Sequence, residues 1–242
     1  MAADAPSNAV TGGPVPDAAL AAVLSRATQE AASRRHRVVT LEHLFFALLQ
    51  NQEIEGLLQR CGADVADMRR ELDEFLELLE VVQPRTPMLD QRCLAVLRHL
   101  AYRVHGMGRR EVHVRDLLIV IREMHEDYAA LLMHAAGIER LDLLRVVSHG
   151  TKETRLVSTA TDRAVVRLHN DDYTPMVFVV NVLCTVFRMT GQDAMERMLE
   201  VHRSGSSVVK ITSVEIAVER AEQVLELAEA AGHPLRCTVE PD

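Results

Sequence analysis

The chain has 242 residues, 48% of them hydrophobic and 26% charged, which is typical of a globular protein of about two domains. Its formal charge of −8 at pH 7 disfavours nucleic acid as the main partner, because phosphate binding needs a concentrated basic surface. No apolar run approaches about 18 residues and no signal-peptide pattern opens the chain, so we expect no membrane span and a cytoplasmic protein.

The first part of the chain is predicted to be helical after a short lead. Residues 1–16 are rich in Ala, Gly and Pro, which predicts disorder. From Asp17 onward the apolar residues recur with a helical period. Asp17 is the predicted N-cap of the first helix, and Thr40 caps a second one that carries Glu42 in its first turn. Pro84 then marks a break in the pattern.

The helical pattern occurs twice. The Ala-Val-Leu of 22–24 returns at 95–97, and the Cys-Gly-Ala-Asp of 61–64 corresponds to Ala-Gly-Ile-Glu at 136–139. The offsets are 73 residues (95 − 22) and 75 residues (136 − 61). A repeat of this length predicts two copies of one helical unit that pack together, since one copy alone buries too little apolar surface.

A polar stretch without a helical period, 151–164, predicts a linker to a second domain. The rest mixes strand and helix periods, which predicts a small α/β sandwich of three strands and three helices. The predicted strands are Ala164–Leu168, Val208–Ile211 and Leu235–Val239. The predicted helices are Thr174–Met189, Asp193–Arg203 and Ser213–Ala231, with Gly191 and Gly205 at helix ends.

A polar cluster, Asn170-Asp171-Asp172, lies between the first of these strands and its helix. Thr174 is the predicted N-cap of that helix, with Pro175 at its first position. Two carboxylates and an amide at the mouth of an apolar helix suit a cation that has an apolar neighbour. The first residue of a peptide, with its free α-amine, is such a ligand.

Residues 165–242 resemble ClpS, the adaptor of the bacterial N-end rule (N-degron) pathway. The resemblance rests on Leu-His-Asn-Asp-Asp-Tyr-Thr-Pro-Met-Val-Phe-Val-Val at 168–180, Met-Leu-Glu-Val-His at 198–202 and Gly-His-Pro-Leu-Arg-Cys-Thr-Val-Glu at 232–240. It implies a non-enzymatic adaptor that binds proteins with an N-terminal Leu, Phe, Tyr or Trp. It also implies a partner, the N domain of a ClpA- or ClpC-type unfoldase that works with the ClpP peptidase.

Residues 17–150 resemble the Clp N-terminal repeat domain, through Val-Thr-Leu-Glu-His-Leu at 39–44 and Leu-Asp-Leu-Leu-Arg-Val-Val-Ser-His-Gly at 141–150. The sequence contains no GxxxxGK[ST] nucleotide-binding loop, so it has the docking domain of an unfoldase without the motor. In ClpC-type relatives the Glu of a Thr-x-Glu-His pattern helps bind phosphoarginine. Only Glu42 keeps that pattern, which argues against this activity.

The ClpS resemblance assigns roles to named residues. Acceptors for the α-amine are Asn170, Asp171 and His202. The pocket for the first side chain is formed by Met176, Val179, Met198, Val201 and Leu235. Asp172 and Thr174 hold the turn and the peptide backbone, and Glu215 and Arg220 face an N domain, which is either the chain's own or that of a separate unfoldase.

Simpler interpretations of the same residues stay open. An Asn-Asp-Asp cluster before a helix is commonly only a turn with a cap, and Met or Val at helical spacing is commonly core. A lone His202 is commonly structural, and the histidines of 17–150, such as His36, His43 and His99, are expected on helix surfaces. We expect no metal, no cofactor and no catalytic set. An enzyme that acts on N-termini, such as an aminopeptidase, is a third alternative and would require a metal or a nucleophile. The four cysteines form no CxxC pair and are expected as buried thiols.

A second functional hypothesis follows from the linker. Free-standing ClpS begins with a flexible tail that the motor engages, whereas here the equivalent stretch connects two folded domains. The chain is therefore also consistent with a regulator or decoy that binds the unfoldase or its substrates without delivery. It would be masked by its own helical domain, at the millimolar effective concentration of a short tether.

Overall fold

The computed structural model describes residues 13–82, 86–151 and 163–242. Most of the predicted lead and linker, and Pro84, lie outside these residues. The helices are α1 Ala18–Ser33, α2 Leu41–Leu48, α3 Gln52–Arg60, α4 Val65–Glu77, α5 Gln91–Gly106, α6 Val114–Arg122, α7 Tyr128–Ala135, α8 Arg140–His149, α9 Met176–Phe187, α10 Gly191–Ser204 and α11 Val214–Ala230. The strands are β1 Val15–Pro16, β2 Val38–Val39, β3 Met88–Leu89, β4 Glu111–Val112, β5 Arg163–His169, β6 Ser206–Ser213 and β7 Arg236–Pro241.

Packing divides the chain into two compact units. The first comprises Arg69–Ala130 and the described residues before Glu55, and the second comprises Glu55–Met68 and Leu131–Asp242. The segments 17–150 and 165–242 stay a prediction of the domain limits.

The first unit confirms the predicted repeat. Helices α1 and α5 are each 16 residues long and begin after an aspartate, Asp17 or Asp90. Each carboxylate accepts a hydrogen bond from the backbone N–H three residues later, at 2.7 Å from Leu20 and 2.6 Å from Cys93. Strand β1 pairs with β4 and β2 pairs with β3, both in parallel. Each pair therefore joins a strand of the first repeat to a strand of the second. Val15–Pro16, expected in the disordered lead, thus form β1.

The starts of α2 and α6 show how the two repeats have diverged. In the first repeat His43 Nδ1 accepts from the backbone N–H of Thr40 at 3.1 Å, and His43 Nε2 lies 2.8 Å from His36 Nδ1. In the second, Asp116 accepts from the N–H of His113 at 2.9 Å and from Arg109 at 2.6 Å. A neutral histidine pair thus corresponds to an ion pair one repeat later.

The expected surface position of His36 and His43 is wrong, since they are 4% and 0% exposed. Because His43 Nδ1 is an acceptor, its Nε2 carries the hydrogen and donates it to His36. Burial, with the nearby His36, lowers the pKa of His43 to about 4, and burial also lowers the pKa of His36. Both rings are therefore neutral at pH 7.

The second unit contains a three-stranded antiparallel sheet in the order β6-β5-β7, which confirms the predicted three-stranded, three-helix α/β architecture. Ala164, Val166 and Leu168 of the central strand are fully buried and alternate with more exposed residues. They share one core with buried residues of α9, α10, α11 and β7. This alternation is the period that predicts a strand with one face on a core.

Two local predictions need correction. Helix α9 begins at Met176 with Pro175, not Thr174, in the N-cap position. Its C-cap is Arg188 in the left-handed conformation (φ 58°), whereas Gly191 is the first residue of α10. Gly205 does end α10, with a φ of 77° that a glycine adopts without steric cost.

Three of the four thiols are buried, and the fourth, Cys184, is half-buried. Burial raises the pKa of Cys237 to about 12 and also raises the pKa of Cys93. Among the described residues, none of the helices combines the length and apolarity that crossing a bilayer requires.

The histidine pair predicts a pH-dependent stability. As the pH is lowered below 6.5, His43 becomes protonated in the unfolded chain. In the folded chain it becomes protonated only near pH 4. The free energy of unfolding should therefore decrease as the pH is lowered through this window, by up to about 1.4 kcal/mol per pH unit for one group. Urea midpoints measured through the window test this for wild type and for His43→Gln, which keeps a Gln at the N3 position of the capping box. His99→Gln, at an exposed site, is the control; equal pH slopes in all three chains would contradict the account.

Candidate functional site

The candidate site is organised around the carboxylate of Asp171, in the turn between β5 and α9. Its Oδ1 accepts from the backbone N–H groups of Tyr173 at 2.8 Å and Thr174 at 2.6 Å. Its Oδ2 accepts from Thr174 Oγ1 at 2.7 Å. Asp171 thus holds the turn, and the part of Asp172 in holding the turn and the peptide backbone stays a prediction. The signal was present in the sequence, since Asp-x-x-Thr before a helix is typical of an Asx turn.

Asn170 and His202 come from elements that meet at this turn. The backbone N–H of Asn170 donates to the carbonyl of Gly205, the C-cap of α10, at 2.8 Å. His202 is exposed in the last turn of the same helix. Asp172 is exposed, while Asn170 and Asp171 are half-buried. All three residues expected to accept from the α-amine are therefore at least partly exposed to solvent.

Four of the five residues expected to form the side-chain pocket are buried in one cluster. Val179 is 7% exposed, Met198 5%, Val201 3% and Leu235 4%, and all belong to the core of this unit. Met176, at the start of α9, is 44% exposed. The four buried residues, the apolar set, are thus packed in one cluster, an arrangement that suits both a core and the wall of a pocket.

The turn between α11 and β7 adds contacts that the sequence did not indicate. The His233 ring packs edge-on against Phe178 of α9, with ring centroids 4.6 Å apart. Burial lowers the pKa of His233 although Asp171 opposes the shift, so this ring is within electrostatic reach of the acceptor carboxylate. Pro234 and Leu235 follow and are both buried. The turn thus packs on α9 through His233 and leads directly into Leu235 of the apolar set.

The remaining expected residues lie elsewhere. Glu215 is exposed in the first turn of α11, next to Ile216, which is 43% exposed. Arg220 donates to Gln223 Oε1 at 2.9 Å on the same helix. Glu42 is largely buried in the first turn of α2. Across residues 13–82, 86–151 and 163–242, no three His, Cys, Asp or Glu side chains cluster in a way that could hold a metal ion.

Comparison with known proteins identifies both parts of the chain. The model of the ATP-dependent Clp protease adaptor protein ClpS matches residues 159–238, and that of the Clp repeat N-terminal domain matches residues 17–136. The ClpS adapter of Maricaulis maris is 46% identical over 77 residues, which are 32% of this chain and 71% of that protein. This chain belongs to the ClpS adaptor family.

Two solved structures illustrate the similarity of each part. Agrobacterium tumefaciens ClpS2 bound to L-phenylalaninamide is 42% identical and matches 34% of this chain and 98% of that one, with a TM-score of 0.33. The Hsp104 N-terminal domain from Candida albicans is 16% identical and matches 52% of this chain and 84% of that one, with a TM-score of 0.47. By the residues that the two family models match, the Clp repeat segment precedes the ClpS-like segment in this chain.

The turn of the ClpS-like segment should depend on Asp171 for its stability. Asp171→Ala removes the acceptor of three hydrogen bonds and should cost on the order of 1–3 kcal/mol. Asp171→Asn keeps a side-chain oxygen for the two backbone N–H groups and should cost less. Urea unfolding of the full chain measures these differences. Asp172→Ala, at the exposed neighbouring position, should change the free energy of unfolding by less than about 0.5 kcal/mol. An equal loss at both positions would contradict this role.

Proposed function

We propose that the ClpS-like segment, 165–242, recognises proteins by an N-terminal Leu, Phe, Tyr or Trp, and that the chain is a non-enzymatic adaptor. The observation that carries the proposal is the Asn170–Asp171 turn beside a buried apolar set, in a member of the ClpS family. Relatives at 44–48% identity carry the name of Clp protease adapters.

The acceptors suit a free α-amine. The pKa of an α-amine is about 7.7–8.0, so it is mostly charged at neutral pH and forms the stronger, charge-assisted hydrogen bonds. A carboxylate has about four lone-pair sites, and the turn uses three of those of Asp171. One site and the negative charge remain for the ligand. In this proposal the side chains of Asn170 and His202 accept the other two N–H groups of the amine.

The buried apolar set supplies the second element of recognition. Burial of a Leu or Phe side chain against Val179, Met198, Val201 and Leu235 is worth roughly 1.5–3 kcal/mol. Met176 at the rim crowds a first residue that is branched at Cβ, so Ile and Val should bind less well. Thr174 and Asp172 lie beside the first peptide unit. The amine contacts then distinguish a protein terminus from an internal Leu.

Peptide binding tests the proposal directly. Fluorescence polarisation with the full chain should show binding of a labelled Phe-first peptide, competed by L-phenylalaninamide. Asp171→Asn removes the charge but keeps the turn, so it should weaken binding about 10- to 100-fold, the equivalent of one charge-assisted hydrogen bond. The control is Glu222→Gln, which removes an exposed carboxylate on α11, and this variant should bind the peptide like wild type.

Altered peptides separate the two elements. An N-acetylated Phe peptide should lose binding, because its nitrogen carries neither the charge nor the free donors. A Val-first peptide should bind less well than a Leu-first one, and Met176→Ala should reduce this difference. A wild-type chain that binds free and acetylated peptides equally would contradict recognition of the terminus.

The partner of the adaptor is proposed to be the N domain of a ClpA- or ClpC-type unfoldase. Glu215, Ile216 and Arg220 form the proposed contact surface, with two charged groups beside an exposed apolar side chain. The chain's own helical segment, 17–150, is the other candidate for this surface. In that case the chain is a regulator or decoy, as the linker in place of a free tail also suggests.

A degradation assay distinguishes delivery from the decoy function. With a ClpA-type motor and its peptidase, the chain should accelerate loss of a Phe-first reporter. Arg220→Glu reverses a charge at the proposed surface and should lower this acceleration on the order of 5- to 10-fold without changing peptide affinity. Glu222→Lys on the same helix controls for charge reversal. Slower loss of the reporter on addition of the wild-type chain would instead establish the decoy.

A further inference from the structure

Helix α8 contacts the turn that leads into β7 through three side chains. Arg145 Nη2 lies 3.3 Å from Glu229 Oε2, at the end of α11. Arg140 Nη1 donates to the carbonyl of Gly232 at 3.2 Å. His149 Nε2 lies 2.8 Å from the carbonyl of Pro234. These contacts follow the turn from the last helix towards Leu235.

The bond from His149 has a defined direction. A carbonyl oxygen only accepts, so Nε2 of His149 carries the hydrogen and donates it to Pro234. Burial lowers the pKa of this histidine, and the same ring interacts electrostatically with Asp171. The α8 contact is made to Pro234, the residue directly before Leu235.

The turn is held on its other side by contacts within the ClpS-like segment. The N–H of His233 donates to the carbonyl of Ala228 at 2.8 Å, and Gly232 adopts a φ of 68° that closes the helix end. The ring of His233 packs on Phe178. The turn is thus held both by contacts within the ClpS-like segment and by side chains of α8.

Helix α8 lies between the two matched family segments, 17–136 and 159–238. We propose that α8 is a positioning element of the degron site, in which His149 fixes Pro234 and so places Leu235 against the first side chain of the ligand. This inference rests on the proposed function. It assigns part of the side-chain selectivity to a helix upstream of the ClpS-like segment.

Selectivity in full-chain variants tests the inference. Affinities for Phe-first, Ala-first and acetylated Phe peptides are compared for wild type, His149→Ala, His149→Gln and the exposed control His99→Ala. His149→Ala should lower the preference for Phe over Ala about 3- to 10-fold, the equivalent of one hydrogen bond. The preference for the free amine over the acetylated one should not change. His149→Gln, which can donate to the same carbonyl, should restore most of the Phe preference.

Two results would overturn the inference. One is a Phe preference in His149→Ala equal to that of His99→Ala. The other is an equal loss of affinity for all first residues, which indicates a structural defect rather than a displaced Leu235.

Amide hydrogen exchange across 232–236 is a readout without a ligand. Exchange should be at least about threefold faster in His149→Ala than in His99→Ala. A wild-type chain that binds no Phe-first peptide would contradict the proposed function. The exchange rates would then still test whether α8 holds the turn, and equal rates in His149→Ala and His99→Ala would show that it does not.

Discussion

The candidate site depends on the carboxylate of Asp171, which holds a turn and is also the proposed acceptor for a ligand. Asp171 accepts three hydrogen bonds from Tyr173 and Thr174, and these bonds set the direction in which α9 leaves the sheet. A carboxylate so engaged is held in one orientation, in the turn that precedes α9. In the proposed function, folding of the turn also positions the acceptor for the α-amine. This is preorganisation, which reduces the entropy that a ligand must overcome.

The residues of the apolar set likewise combine a place in the core with a proposed role in binding. Val179, Met198, Val201 and Leu235 belong to the core that joins β5 to its helices, so a proposed ligand side chain would add to this core rather than occupy a separate cavity. Stability and recognition then draw on the same packing. Substitutions that enlarge the proposed pocket would also remove core volume, which limits how far its preference can change without loss of folding.

The sequence predicts much of this structure because its signals are local. Asp17 caps α1, the repeat recurs at an offset of 73 to 75 residues, and the period of two in β5 identifies a half-buried strand. The candidate site residues came from resemblance, since their residue types alone equally suit a capped turn and a core. The two-residue strands were too short to show a period. The His36–His43 pair and the α8 contacts join residues whose proximity no local pattern encodes.

The order of the sheet has a mechanical consequence. The chain enters it at β5, the central strand, whose two neighbours run antiparallel to it along its length. Arg163, its first residue, is also tied to Asp242 at the far end of the chain by a 3.1 Å ion pair. A pull from the upstream side loads both hydrogen-bond ladders in shear at the same time, instead of peeling one edge strand away bond by bond. A force applied to the upstream end of β5 should therefore meet more resistance than a force that separates an edge strand of the same sheet.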